Sequence, residues 1–182
     1  MPQQIAPEAL DFTRLIRAGE TVGWAEATAE PVFLTRLLDA QAARCAPFRV
    51  FFPLTFSNAL GAGHPQVTVT ALGGASAGRR FFARGANNVI PANISDLPAL
   101  IATGRLAIDI VLLQLSGPDV ASRYNTGLGI EHLEAAIARA RLVVAQLNPD
   151  ELGGTLGIHE RFEIRHPISY LENPWCYQVP RE

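Results

Sequence analysis

Apolar and polar positions along the chain follow two alternating patterns, one typical of strands and one typical of helices. Short apolar runs of strand length recur, and most of them are followed by apolar residues at helical spacing. The predicted strands are TVGWAEA (21–27), FRVFFPL (48–54), QVTVTAL (66–72), NVIP (88–91), AIDIVLLQL (107–115) and LVVAQLN (142–148). Because strands that alternate with helices pair in parallel, the pattern predicts an α/β fold with an open, mainly parallel sheet flanked by helices.

Helical spacing and end signals predict four helices around these strands. Gly19 and Gly104 are expected to end the first and third, and Ser95 is expected to cap the start of the third. The predicted helices are Pro7–Ala18, Pro31–Cys45, Ser95–Gly104 and Ile130–Ala140. A glycine-rich loop and a short helix are expected over 73–87, and extended, edge-type structure is expected over 155–174.

Length and composition indicate one globular domain covering 1–182. The apolar fraction of 48% supplies a core, and a net charge of −2 gives no reason to expect binding to nucleic acid or to an anionic membrane. We see no apolar run long enough to span a bilayer and no secretory signal at the N-terminus. Two lone cysteines suit a reducing compartment, so we expect a cytoplasmic protein.

The absence of lysine has chemical consequences. All 15 basic residues are arginine, which excludes a phosphate-loop lysine, a Schiff-base lysine and a lysine general base. The four histidines do not have the spacing of a metal site, so no metal is expected. The glycine-rich segment LGGTLGI (152–158) lacks the features of a dinucleotide-binding fingerprint, and no permanently bound cofactor is expected.

Small and polar residues follow several of the predicted strands. In an open α/β sheet the loops at the carboxyl ends of the strands surround the ligand, which predicts a shared crevice for a small molecule. The alternative is that turns are simply rich in such residues. The Arg79–Arg80 pair could meet a phosphate or lie on a solvated helix face. The candidate binding residues are Thr28, Ser57, Gly74, Arg79 and Ser116.

The middle of the chain contains a specific series of motifs. An arginine after a glycine-rich loop, a glycine and a strand-ending proline are Arg79, Gly85 and Pro91; they precede SDLPAL (95–100), then IDIVLLQLSGPD (108–119) and VVAQLN (143–148). This series resembles the N-terminal domain of the acetyl-CoA hydrolase/CoA-transferase family, which includes acetate and 4-hydroxybutyrate CoA-transferases. The resemblance implies acyl-CoA thioesters as substrates, with small carboxylic acids as their partners.

Two features depart from the family pattern. The segment SGPDVASRYNTG (116–127) differs from the family's usual Ser-Pro-Pro-Asp loop, which puts that loop's ligand contacts in doubt. The resemblance also implies a second domain with a glutamate that attacks acyl-CoA, and we expect that domain to be absent from these 182 residues.

Three functions follow as hypotheses. The first is a subunit or half-enzyme of a CoA-transferase, with the glutamate supplied by a second subunit. The second is a stand-alone, self-associating binding or regulatory module that binds an acyl-CoA, a carboxylate or a protein. The third, an independent hydrolase, lacks a visible acid–base pair. Glu26 and Asp119 are the acids nearest the expected crevice, although Asp119 follows a proline and could simply shape its turn.

Overall fold

The computed structural model describes residues 3–4, 6–52, 54–55, 57–60, 63–72, 88–115, 126, 132–147 and 168–172. Eight strands in these residues form one sheet. They are β1 (Gln3–Gln4), β2 (Thr21–Trp24), β3 (Phe48–Phe52), β4 (Val67–Leu72), β5 (Asn88–Ile90), β6 (Ile110–Leu115), β7 (Leu142–Leu147) and β8 (Ile168–Glu172). All the pairings between them are parallel, so the predicted open α/β sheet is confirmed.

The order of the strands fixes where a ligand site is expected. Across the sheet the order is β1-β8-β7-β6-β2-β3-β4-β5. The chain moves outward from β2 through β3, β4 and β5, then returns to the other side of β2 at β6 and moves outward again. The direction of winding therefore reverses between β2 and β6. Ligands of such sheets bind at this reversal, outside the carboxyl ends of the strands. We call the side of the sheet where the strands end the carboxyl edge.

Helices cover both faces of the sheet. They are α1 (Phe12–Leu15), α2 (Val32–Ala42), α3 (Leu97–Ala102) and α4 (Leu133–Arg139). Side chains alternate across a strand, so β6 contributes to two cores: Ile110 and Leu112 pack with α1 and α2, whereas Val111 and Leu113 pack with α3 and α4. This double burial explains the nearly continuous apolar sequence of β6. Within the described residues, no helix has the length and apolar character needed to cross a membrane.

The opposite, amino edge of the sheet is held by an ion pair between distant parts of the chain. Arg141 donates two hydrogen bonds to the Glu20 carboxylate, Nε to Oε1 at 2.6 Å and Nη2 to Oε2 at 2.8 Å. Beside it, the Asp109 carboxylate accepts a hydrogen bond from the Thr21 backbone N–H at 2.8 Å. These contacts tie together the starts of β2, β6 and β7. The charged residues at this edge therefore have a structural role.

The Glu20 carboxylate makes the stability of the fold depend on pH. Burial acts to raise its pKa, but hydrogen bonds from Arg141 and from the Arg17 backbone N–H outweigh burial and lower the pKa below 4.5. A group with a lowered folded-state pKa stabilises the fold above its unfolded-state pKa and loses that contribution as the pH falls through the folded-state value. We therefore expect the free energy of unfolding to fall less steeply below about pH 4.5 in Glu20→Gln than in the wild type.

Urea denaturation between pH 7 and pH 3 measures this difference. Glu8→Gln is the matched control, because Glu8 is an exposed acid elsewhere on the chain. Equal acid slopes for the wild type and Glu20→Gln would show that the Glu20–Arg141 pair has no part in acid stability.

The predicted helix Pro7–Ala18 is wrong. A 3-10 turn spans Pro7–Ala9, and α1 is a separate single turn. The cause is Asp11, whose carboxylate accepts hydrogen bonds from the Thr13 backbone N–H at 3.0 Å and from the Thr13 hydroxyl at 2.6 Å. A short polar side chain that binds its own backbone interrupts a helix and starts a new one.

Two further details differ from the sequence predictions. Asn93, and not the predicted Ser95, caps the turn that precedes α3. The Asn93 backbone N–H donates a hydrogen bond to the Asp96 carboxylate at 2.9 Å. Gly104 ends α3 as predicted, with a φ of 76°. The tail strand β8 lies between β7 and β1, so it is not an edge strand, and β1 itself was not predicted.

Candidate functional site

A cavity of about 650 Å³ opens at the carboxyl edge, between α2 and the segments that follow β2 and β3. This volume is typical of small-molecule sites. Three parts of the chain line the cavity, namely Ala27, Thr28 and Glu30 after β2, Val32, Arg36 and Asp39 on α2, and Ser57, Asn58 and Ala59 after β3. The lining thus combines hydroxyl and amide groups with charged side chains.

Glu30 holds the walls of this cavity together from a buried position. Only 4% of the residue is exposed. Its Oε2 accepts hydrogen bonds from the Thr55 hydroxyl at 2.6 Å and from the Ser57 backbone N–H at 3.2 Å, and its Oε1 accepts one from the Thr35 hydroxyl at 3.4 Å. One carboxylate therefore joins the segment after β2 to α2 and to the segment after β3.

The backbone is strained on both sides of the cavity. Among the described residues, the non-glycine residues with positive φ are Ala27 (53°) and Leu60 (59°). Ala27 lines the cavity, and Leu60 follows the lining residue Ala59. Each such conformation costs roughly 1–2 kcal/mol and persists only where the surroundings fix it, which is common at ligand sites. The walls are therefore held in one shape at some cost to stability.

The charged side chains of the lining differ in their surroundings. Asp39 contacts His64, with 2.8 Å between Oδ1 and Nε2, and Glu30 makes the hydrogen bonds described above. Arg36 is exposed and supplies positive charge to the lining. Guanidinium groups match carboxylate and phosphate oxygens in geometry. The described lining therefore includes a group of the kind that recognises anions.

A buried carboxylate and imidazole meet beside the point where the winding reverses. Glu26 follows β2, and His132 immediately precedes α4. Glu26 Oε1 lies 3.9 Å from His132 Nδ1, and the two residues are 4% and 1% exposed. The Phe51 ring meets the imidazole edge-on, with 6.0 Å between ring centroids. Two ionisable side chains are thus enclosed on the α4 side of the carboxyl edge.

Two glutamines link the start of α2 to the sheet. Gln146 on β7 donates from Nε2 to Gln114 Oε1 on the neighbouring strand β6 at 2.6 Å. The Leu34 backbone N–H, in the first turn of α2, donates to Gln146 Oε1 at 3.4 Å. This chain of amides fixes the position of the helix that carries Arg36. The sequence predicted both glutamines only as strand residues.

The structure brings together two of the predicted binding residues. Thr28 and Ser57 line the same cavity. Glu26, predicted as a candidate acid, is buried rather than open to the cavity. Gly74, Arg79, Ser116 and Asp119 lie outside the described residues.

The sequence reasoning missed Glu30, Arg36 and His132. Each of them owes its place to residues distant along the chain. A polar position on the outer side of α2 is a weak signal that could have pointed to Arg36.

Among the described residues, Cys45 is the cysteine, and it is buried. Burial raises the pKa of the Cys45 thiol, which keeps it protonated and makes it a poor nucleophile. No group of three or more histidine, cysteine, aspartate or glutamate side chains is positioned to hold a metal ion in the part of the chain that the structure describes.

Comparison with known sequences finds one informative relative. In an alignment of 91 residues the chain is 30% identical to 4-hydroxybutyrate coenzyme A transferase from Clostridium kluyveri, and the match covers 46% of this chain and 21% of that protein. No protein-family model matches the chain.

Comparison with solved structures finds the same fold in longer proteins. RipA from Yersinia pestis has a TM-score of 0.77 and 19% identity over 94% of this chain and 42% of its own. The 4-hydroxybutyrate CoA-transferase from Porphyromonas gingivalis has a TM-score of 0.65 and 20% identity over 93% of this chain and 40% of its own. The chain thus spans less than half the length of each of these proteins.

Proposed function

We propose that the chain is a CoA-transferase-type domain and forms one half of a CoA-transferase or acetyl-CoA hydrolase that acts on acyl-CoA thioesters and small carboxylic acids; its likeness to a 4-hydroxybutyrate CoA-transferase in sequence and to longer proteins in fold supports this. In the reaction that this resemblance implies, a glutamate attacks the acyl-CoA and carries CoA as a thioester. We assign that glutamate to another chain and the substrate-facing wall to this one.

The cavity at the carboxyl edge is the observation that carries the proposal. Its walls contain Thr28 and Ser57, two of the residues assigned to binding from sequence alone. The strained turns at Ala27 and Leu60 indicate that the walls are held in one shape. A preformed site lowers the ordering cost of binding.

We assign recognition of the ligand anion to Arg36 and hydrogen bonding of its polar groups to Thr28 and Ser57. Both CoA and a carboxylic acid carry anionic oxygens that match a guanidinium. In this arrangement the chain orients and encloses the substrate, and the partner supplies the nucleophile. Gly74, Arg79 and Ser116 remain candidates for further contacts, since they follow β4 and β6 in the sequence.

Binding of coenzyme A and of acetate tests this assignment. We expect each probe to raise the melting temperature of the wild-type chain. We expect Arg36→Gln to weaken binding of both about 10-fold, the loss expected for one charge-assisted hydrogen bond. Isothermal titration calorimetry measures the affinities.

Arg105→Gln is the matched control, because Arg105 is an exposed arginine that does not line the cavity. Equal affinities for the Arg36 and Arg105 variants would contradict the role of Arg36. A wild-type chain that binds neither probe would contradict the proposed site.

The proposal includes a second CoA-transferase-like subunit or self-association, and a cytoplasmic location suited to two lone cysteines. The alternative is a stand-alone module that binds an acyl-CoA or carboxylate without chemistry. The altered segment SGPDVASRYNTG favours that alternative, because it departs from the family's usual loop. An activity assay with and without a partner separates the two.

A further inference from the structure

We propose that Glu26 and His132 form a positioning pair that fixes the strained turn at Ala27 and thereby holds Thr28 on the wall of the cavity. The inference deepens the proposed function and rests on it only for the claim that the cavity binds a ligand. The pair itself, and its effect on the turn, can be tested without any ligand.

Buried apolar side chains lie around the pair. Three of these residues belong to one core: Ala25 precedes Glu26 in the chain, Leu133 follows His132, and the Phe51 ring contacts the imidazole. Burying ionisable groups among apolar side chains is unfavourable unless they interact with each other or with other polar groups. The 3.9 Å between Glu26 Oε1 and His132 Nδ1 is longer than a direct hydrogen bond.

The backbone on either side of Glu26 is fastened to different neighbours. The Ala25 N–H donates to the Leu112 carbonyl of β6 at 3.2 Å, and the Ala27 N–H donates to the Leu54 carbonyl after β3 at 2.8 Å. Glu26 is therefore the residue at which the chain crosses from one side of β2 to the other. Its side chain sits in the α4 core while the next residues enter the cavity wall.

His132 provides the other attachment. The Ala136 N–H donates to the His132 carbonyl at 3.0 Å, so the backbone of His132 belongs to the first turn of α4. Its ring contacts Phe51 on β3. The contact from Glu26 to His132 therefore connects the turn after β2 to both α4 and β3.

The strain at Ala27 explains why such a connection is needed. A residue with a β-carbon at a φ of 53° relaxes toward negative φ unless its neighbours restrain it. Relaxation there would move Thr28, the next residue. A left-handed alanine directly after a buried ionisable residue is a departure from local rules of the kind expected where the fold serves a site.

Burial argues against a catalytic role for the pair. At 4% and 1% exposure, neither Glu26 nor His132 is open to a substrate. The two groups are an acid and a base side by side, so hydrolysis by them is the rival interpretation, and the test includes it.

Amide hydrogen exchange in Glu26→Gln provides the ligand-free test. We expect protection of the Ala27 amide to fall at least about 10-fold, while the Arg49 amide, bonded to the Glu20 carbonyl at the amino edge, keeps its wild-type protection. If the pair acts only on overall stability, the protection of both amides falls together, which would overturn the proposal. Unchanged protection of the Ala27 amide would overturn it as well. If Glu26→Gln does not fold, His132→Asn replaces it, with the same expected result at Ala27.

Binding provides the second arm. We expect Glu26→Gln to weaken coenzyme A binding about 10-fold at a temperature where it is folded, and Glu134→Gln, an exposed acid on α4, to leave it unchanged. If the wild-type chain binds neither coenzyme A nor acetate, the proposed function is contradicted. The hydrogen-exchange result then decides by itself whether the pair fixes the turn. If the wild-type chain hydrolyses acetyl-CoA and Glu26→Gln does not, the positioning role is overturned and Glu26 is a catalytic residue.

Discussion

Glu30→Ala is expected to lower the free energy of unfolding by about 2–4 kcal/mol and to abolish coenzyme A binding. The substitution removes the acceptor of three hydrogen bonds, from the Thr55 hydroxyl, the Ser57 backbone N–H and the Thr35 hydroxyl. A buried donor left without an acceptor costs about 1–3 kcal/mol. Thr55 is 2% exposed, so water cannot readily replace the carboxylate at its hydroxyl.

The loss of binding has a separate cause. Glu30 attaches the segment with Ser57 to the segment with Thr28, so the alanine variant releases two walls of the cavity from each other. A wall that must be ordered again on binding reduces affinity even where every contact residue is present. Glu30 therefore acts on binding by fixing the geometry of the cavity.

Urea denaturation followed by circular dichroism measures the stability, and calorimetric titration with coenzyme A measures the affinity. Glu30→Gln keeps one side-chain oxygen and is expected to lose about 1 kcal/mol. Glu134→Ala removes an exposed carboxylate on α4 and is expected to change stability by less than about 0.5 kcal/mol. A Glu30→Ala variant as stable as Glu134→Ala would show that the hydrogen bonds to Glu30 do not hold the walls.

Sequence patterns were sufficient for strands β2 to β7 and for the helices that pack firmly on them. The strand β6 was predictable because burial on both faces requires a nearly continuous apolar run, and α2 because its buried residues Leu34, Leu38 and Ala42 recur at helical spacing. The N-terminal helix was wrong because apolar spacing cannot reveal that Asp11 binds the Thr13 backbone. The strand β1 is two residues long, too short to leave a pattern.

The site was only half predictable. Thr28 and Ser57 could be chosen because they are polar residues that follow strands, and the carboxyl ends of parallel strands share one edge. Glu30 and His132 could not be chosen in the same way. Their importance depends on partners elsewhere in the chain, Thr55 for Glu30 and Glu26 for His132, and no local pattern records such a contact.

The largest expected effect is on catalysis. With acetyl-CoA or another acyl-CoA as donor and acetate as acceptor, we expect CoA transfer to be at least about 1,000-fold faster when this chain is combined with a partner chain that carries the glutamate-bearing domain. The magnitude follows from the cost of removing a covalent nucleophile, which commonly exceeds that factor. A partner whose glutamate is replaced by glutamine is the matched control and is expected to restore no activity.

Rates of acyl-CoA:acetate CoA transfer by the purified chain alone and by the chain co-expressed with such a partner test the half-enzyme claim most directly. The account predicts transfer only in the presence of the partner, with loss of that activity in the glutamine control. Equal activity of the chain alone would contradict it. If neither preparation transfers CoA but coenzyme A or acetate stabilises the chain, the half-enzyme claim is contradicted as well. That result would support a stand-alone binding module.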